Sequence, residues 1–173
     1  MQYDWINNVA TMSSDYTIIH FNNKFDQKIE PNALPENLIT LKFGRIFNQK
    51  IEPNTLPENL TTLIFGLRFN QKIEPNTLPK NLITLKFGYN FNQKIEPNIL
   101  PKNLTNLTFG YYFNQKINSE MLPSNSINIE FNWLYLDEND LREHHIEMVN
   151  NIPNYYHVII LSNTNNPAID ESK

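Results

Sequence analysis

A mainly-β, right-handed solenoid of about six 22-residue turns, one parallel strand per turn, is the fold this sequence predicts, with a C-terminal helix and strand as its cap. Two observations carry the prediction. All eleven phenylalanines fall in two columns, Phe21, Phe43, Phe65, Phe87, Phe109, Phe131 and Phe25, Phe47, Phe69, Phe91, Phe113. The four glycines, Gly44, Gly66, Gly88 and Gly110, and nine of the eleven prolines keep the same spacing. One unit of that size cannot bury its own apolar face, whereas stacked copies bury a continuous core.

Each element follows in order. Residues 1–14 form an N-terminal cap, for which Trp5, Val9 and Met12 have helical spacing. The repeats occupy 15–132. In the turn spanning 34–55, Leu41 and Phe43 alternate with Thr40 and Lys42, the period of a strand with one buried face, and Leu38 enters it. The triplet recurs as Leu60, Leu63, Phe65, then Leu82, Leu85, Phe87, then Leu104, Leu107, Phe109. Tyr16, Ile19, Phe21 open the series, and Ser126, Ile129, Phe131 close it.

The glycine after each strand is replaced by Asn22 and Asn132 in the terminal turns, which predicts a left-handed backbone position there. Phe-Asn-Gln-Lys-Ile follows, with Phe and Ile inward. Asn48, Asn70, Asn92 and Asn114 stack in register, as a side-chain ladder that satisfies backbone groups would require. The return stretch, Glu-Pro-Asn-x-Leu-Pro, has two prolines four apart. It is expected to be extended or polyproline-like, with Leu34, Leu56, Leu78, Leu100 and Leu122 plugging the convex side.

Residues 133–161 read as a βαβ-type cap: a helix over 137–152 with Asp137 as N-cap, then a buried strand from Tyr155 to Leu161 beside 127–131. Residues 162–173 are a polar, loose tail.

Bulk composition narrows function. The net charge of −4 argues against nucleic acid, which needs a concentrated positive footprint. Absence of cysteine rules out disulfides and thiolate metal sites. The start lacks a basic, apolar leader and no run is long enough for a membrane span, so a cytoplasmic protein is expected. The 29 asparagines include glycosylation-like triplets, as at Asn59 and Asn103, read as accidents of an asparagine-rich repeat. His20, His144, His145 and His157 have no ligand-spaced neighbours, and no nucleophile elbow or phosphate loop occurs. No catalytic residue, metal or cofactor is expected. The Lys50/Glu52, Lys72/Glu74 and Lys94/Glu96 alternation reads as a solvated stripe whose diagonal pairs offset like-charge stacking.

What remains is surface, and positions that vary between turns can encode a partner. Two outward strand columns are His20, Lys42, Ile64, Lys86, Thr108, Glu130 and Ile39, Thr61, Ile83, Thr105, Ile127. After the glycine come Arg45, Leu67, Tyr89, Tyr111 and Trp133, with Tyr112 alongside. The aromatic cluster Tyr89, Tyr111, Tyr112, Trp133, with Arg45, Lys42, Ile64 and Lys86, is the candidate partner site. Rings that merely cover the strand ends or the cap helix are the other reading of that cluster.

The blocks Phe-Asn-Gln-Lys-Ile and Leu-Pro-x-Asn-Leu-x-x-Leu-x-Phe-Gly, over roughly residues 15–132, resemble the FNIP repeat, a leucine-rich-repeat relative of social amoebae and giant DNA viruses of amoebae. Lys50, Lys72, Lys94 and Lys116 stand where that family often has proline. The resemblance implies a leucine-rich-repeat-like solenoid and a protein-interaction role on a concave strand face, with a protein as partner and a monomer favoured over an oligomer. Some relatives carry an F-box and serve ubiquitin ligation. The 14 residues before the first strand are too few for one, leaving at most a substrate-recognition part without its own F-box. A structural or self-associating protein is the alternative.

Overall fold

A computed structural model of the chain describes residues 6–124, 127–132, 152 and 156–160. A single 3-10 turn, Ile6–Asn8, leads into β1 (Val9–Met12) and β2 (Ile18–Phe21). β3 (Thr40–Lys42), β4 (Thr62–Ile64), β5 (Thr84–Lys86), β6 (Asn106–Phe109), β7 (Asn128–Phe131) and β8 (His157–Ile160) complete one sheet in strict sequence order. From β2 to β7 every pair is parallel with partners 22 residues apart, as in Leu41↔Leu63↔Leu85↔Leu107↔Ile129. Six strands thus bound about five turns of a parallel solenoid.

The interior is the sum of the apolar columns. Leu38, Leu41, Phe47, Leu60, Leu63 and Phe69 are fully buried, and the equivalents one and two turns on match them. The two phenylalanine columns face each other in every turn. Phe43–Phe47, Phe65–Phe69 and Phe87–Phe91 stack with ring centroids 3.8, 3.8 and 3.7 Å apart. Along the axis the rings repeat at 5.4 to 6.1 Å, as in Phe109–Phe131 and Phe47–Phe69, slightly above the roughly 4.8 Å strand spacing.

The glycine expectation is corrected in its cause. None of the four glycines has positive φ. They are required because successive turns touch there: a Cβ on Gly66 would sit inside the carbonyl oxygen of Gly44 and 2.6 Å from its carbon. The same collision awaits a side chain at Gly44, Gly88 and Gly110. Asn22 is tolerated because the strand preceding it is β1, paired antiparallel, and no earlier parallel turn lies under it. At Asn132 the pairing runs one residue further, to Phe109↔Phe131, and the Asn132 N–H donates to the Phe109 carbonyl at 3.0 Å.

The left-handed position lies instead in the return stretch, at Asn32, Asn54, Asn76 and Asn98, with φ of 61 to 65°. There the backbone is turned, not extended as expected. Glu30, Glu52, Glu74 and Glu96 carbonyls accept the N–H three residues on, with proline second and a positive-φ residue third, the signature of a type II turn. In the last turn Asn118-Ser119-Glu120-Met121 lacks both signals, and Glu120 does not have positive φ; the Asn118 Oδ1 accepts its N–H at 3.1 Å instead. A second turn follows at once, Leu38 N–H to the Pro35 carbonyl at 3.1 Å, and recurs at Leu60, Leu82 and Leu104. Two fixed proline φ angles therefore set corners. The inward plugs Leu34, Leu56, Leu78, Leu100 and Leu122 are buried between them.

The asparagine ladder holds the turns together, its amide oxygens taking backbone N–H groups of the next turn. Asn48, Asn70 and Asn92 each accept, at Oδ1, the backbone N–H of the equivalent asparagine one turn on, at 2.8, 2.9 and 3.0 Å, and Asp26 opens the series for Asn48 at 2.8 Å. The same oxygens also accept from Gln71, Gln93 and Gln115. A second column, Asn37, Asn59, Asn81 and Asn103, donates Nδ2 to the carbonyls of Asp15, Glu36, Glu58 and Lys80. The amides of Asn59 and Asn103, in their glycosylation-like triplets, are thus structural. The lysine–glutamate stripe pairs within turns, not diagonally, at 3.0 to 3.6 Å between half-exposed groups. Such pairs each contribute about 0–1 kcal/mol.

The ends depart from expectation. Val9 and Met12 lie on β1, antiparallel to β2 with an irregularity between Val9 and Thr11, not on a helix; Trp5 is outside the described residues. A strand satisfies the edge donors and acceptors of β2, which a helix would leave open. Tyr16 does not open the leucine column. It sits exposed at φ 60° in the hairpin turn. Asp15 orders that turn, and hydrogen bonds from the hydroxyls of Ser13 and then Thr17 hold its carboxyl below the usual range. At the far end β8 pairs parallel with β7, with Val158 partly buried against the core but His157 exposed and Ile159 37% exposed. The helix expected over 137–152, together with Tyr155, Leu161 and Ser126, lies outside the described residues, apart from buried Ile152.

Thr55 and Thr77 are 2% exposed, and neither hydroxyl has a hydrogen-bond partner. The equivalent position one turn on is Ile99, also buried, so the site accepts a branched apolar side chain. Removing an unsatisfied buried hydroxyl is favourable, so Thr77→Val is expected to stabilise by about 1 kcal/mol. Urea denaturation checks this; a lower midpoint for the valine variant would mean the hydroxyl is satisfied.

Candidate interaction surface

The strands present Thr40, Thr62, Thr84, Asn106 and Asn128 as one outward row and Lys42, Ile64, Lys86, Thr108 and Glu130 as another, on either side of the buried Leu41 column. Lys42, Ile64 and Lys86 lie side by side in register on β3, β4 and β5. Lys42 and Lys86 are exposed and Ile64 is half-buried. Ile39 and Ile83 flank this face and are 44% and 43% exposed. Ile127, expected in the same outward column, is corrected to core: it is 2% exposed, in one cluster with Ile152 and Tyr156, and its carbonyl accepts the His157 N–H. Thr108, also placed outward, is only 6% exposed.

The tyrosines do come together. Tyr89 and Tyr111, at equivalent positions of successive turns, stack at 4.7 Å and 10°. Tyr112 meets both edge-on, at 5.2 and 4.7 Å. Tyr89 and Tyr111 each follow a glycine, so the close approach of backbones at Gly88 and Gly110 brings their rings to stacking distance. Tyr112 is 54% exposed, whereas Tyr89 and Tyr111 are half-buried. Burial, then the neighbouring Tyr111 and Tyr112, push the Tyr89 phenol above its ordinary value, so it stays a neutral donor at physiological pH. Arg45 is exposed two turns before Tyr89 in the same column. Trp133 lies outside the described residues.

The sheet face also carries a groove that the sequence reading missed. It spans β5 to β8, has a volume of about 510 Å³, and is lined by Lys86, Asn106, Thr108, Asn128, Glu130 and His157 among others. The signal was the first outward row, which changes from Thr40, Thr62, Thr84 to Asn106, Asn128 along the axis. Among the described residues no group of three His, Cys, Asp or Glu side chains is placed to hold a metal ion, and no helix is long and apolar enough to cross a membrane.

The family model of the FNIP Repeat matches residues 15–45, 47–90 and 91–132. Among solved structures, the crystal structure of CroV588, a giant-virus protein described as a novel circular LRR structure, is similar at a TM-score of 0.67 and 41% identity. The match covers 83% of this chain and 20% of CroV588, so the chain spans about a fifth of that protein's length. No curated protein matches the chain.

Proposed function

This chain belongs to the FNIP repeat family, and from that premise we propose that it is a non-enzymatic scaffold that binds a protein partner through the outer sheet face and the adjoining tyrosines. One observation carries the reading. Inward positions repeat almost unchanged while one outward row of the same strands changes from turn to turn, as Lys42, Ile64, Lys86 and Glu130 show. Packing constrains the first set; nothing internal constrains the second. Half-exposed aromatic rings beside such a face are the side chains that supply most binding energy at interfaces.

The test is capture of a partner with the native chain and with the combined Lys86→Glu and Tyr112→Ala variant, followed by hydrogen-exchange mapping of the bound complex. The expected result is loss of the partner from the variant and protection confined to β3–β7 and residues 89–112. Protection on the corner turns at Asn54 and Asn76 instead would overturn the reading. A second reading, self-association, draws on Ile18, Ile39 and Ile83, which are 41%, 44% and 43% exposed. Light scattering on the native chain separates the two: a concentration-dependent mass supports self-association, and a constant monomer supports the scaffold.

A further inference from the structure

We propose that the groove over β5 to β8 binds a peptide segment in polyproline II conformation carrying one acidic and one basic side chain three residues apart, the acidic group against Lys86 and the basic group against Glu130. The inference rests on reading the sheet face as the partner surface and names what that surface takes. In register, Lys86, Thr108 and Glu130 lie on three successive strands. Lys86 and Glu130 are therefore two strand spacings apart, about 10 Å between backbones. Among the described residues neither has an ion-pair partner, in contrast to the lysine–glutamate pairs that neutralise each other within turns. Two uncompensated charges of opposite sign, two strands apart in one groove, complement a ligand with both signs, and Glu130 disfavours a polyanion.

The neighbouring row of the groove suits a peptide backbone. Asn128 Nδ2 donates to Asn106 Oδ1 at 3.1 Å, and Asn106 Nδ2 donates to Thr105 Oγ1 at 2.9 Å. Each amide spends one N–H in that chain and keeps a second, and Asn128 keeps its oxygen as an acceptor. The bound segment offers N–H and C=O groups that need such partners. Three residues of polyproline II chain make one turn, span about 9 Å and return the side chain to the same face, which matches the separation of the two charges. Over β3 and β4 the same rows hold threonine, lysine and isoleucine, without the opposed charges or the amides.

The experiment is an NMR titration of the full chain with end-blocked peptides Ser-Asp-Ala-Ala-Arg-Ser, the two-aspartate and two-arginine analogues, and an all-alanine control. The mixed peptide is expected to shift the Asn106 and Asn128 side-chain amide signals and to bind about fivefold tighter than the others. Glu130→Lys is expected to switch the preference to the two-aspartate peptide, and Lys86→Glu to the two-arginine peptide. Equal binding of all four peptides, or unchanged preference in both variants, would overturn the proposal. Shifts around Lys42, Ile64 and Tyr112 instead would remove the groove but leave the face reading intact. No shift at millimolar peptide also overturns the groove, and partner mapping then decides the face by itself.

Discussion

Alanine at Gly66 is expected to destabilise the chain by about 3 kcal/mol, the upper part of the range for overpacking. The added Cβ would overlap the Gly44 carbonyl group, with the Arg45 nitrogen only 3.2 Å away. All of these are backbone atoms, so no rotamer change relieves the contact. The turns must separate locally, and the stacking of Phe65 on Phe43 loosens with them. A paired variant discriminates the cause. Asn76 has φ of 62°, and alanine there is expected to cost about 1–2 kcal/mol from backbone strain, with Asn76→Gly close to neutral. Denaturant titration of the three variants reads the order directly. If Gly66→Ala proved no worse than Asn76→Ala, close approach between turns would not explain the glycine column.

Phe69→Ala is expected to cost about 3–5 kcal/mol, the usual range for emptying a buried aromatic site. Phe69 is fully buried, stacked 3.8 Å from Phe65, and sits 6.1 Å from each of Phe47 and Phe91. A vacancy there weakens both inter-turn contacts of the column at once. In a solenoid each turn leans only on its neighbours, so the variant should lose cooperativity as well as stability. Equilibrium unfolding followed at the tyrosines and by far-ultraviolet circular dichroism is expected to give two separated transitions in place of one. A single transition at an unchanged midpoint would refute the expected coupling.

Those two sites also show what a sequence discloses. The leucine and phenylalanine columns were legible because burial dictates side-chain identity at every turn, so Leu41, Leu63 and Leu85 announce themselves. Gly66 was legible as a position that needs glycine, but sequence does not distinguish a left-handed residue from one touched by another backbone. The left-handed residue was Asn76, inside a Pro-Asn pair whose type II signature was masked by reading two prolines as extended chain. β1 escaped notice because Val9–Met12 lies outside the repeat and pairs antiparallel. At the candidate site, Tyr89 and Tyr111 were visible as aromatics one period apart. The groove was not, since His157 reaches it only through the pairing of β8 with β7, and the threonine-to-asparagine change at 106 and 128 looks conservative until the rows are laid side by side.

The asparagine columns have a consequence for how such a chain changes length. The Asn70 N–H finds its acceptor on Asn48, and Asn92 finds its own on Asn70, so every bond refers only to the turn before. Tandem duplication of one whole period in the gene would therefore leave each donor with an acceptor, whereas an insertion of any other size would shear both columns. Growth and shrinkage by whole units become the tolerated route of variation, and members of very different size can share one interior.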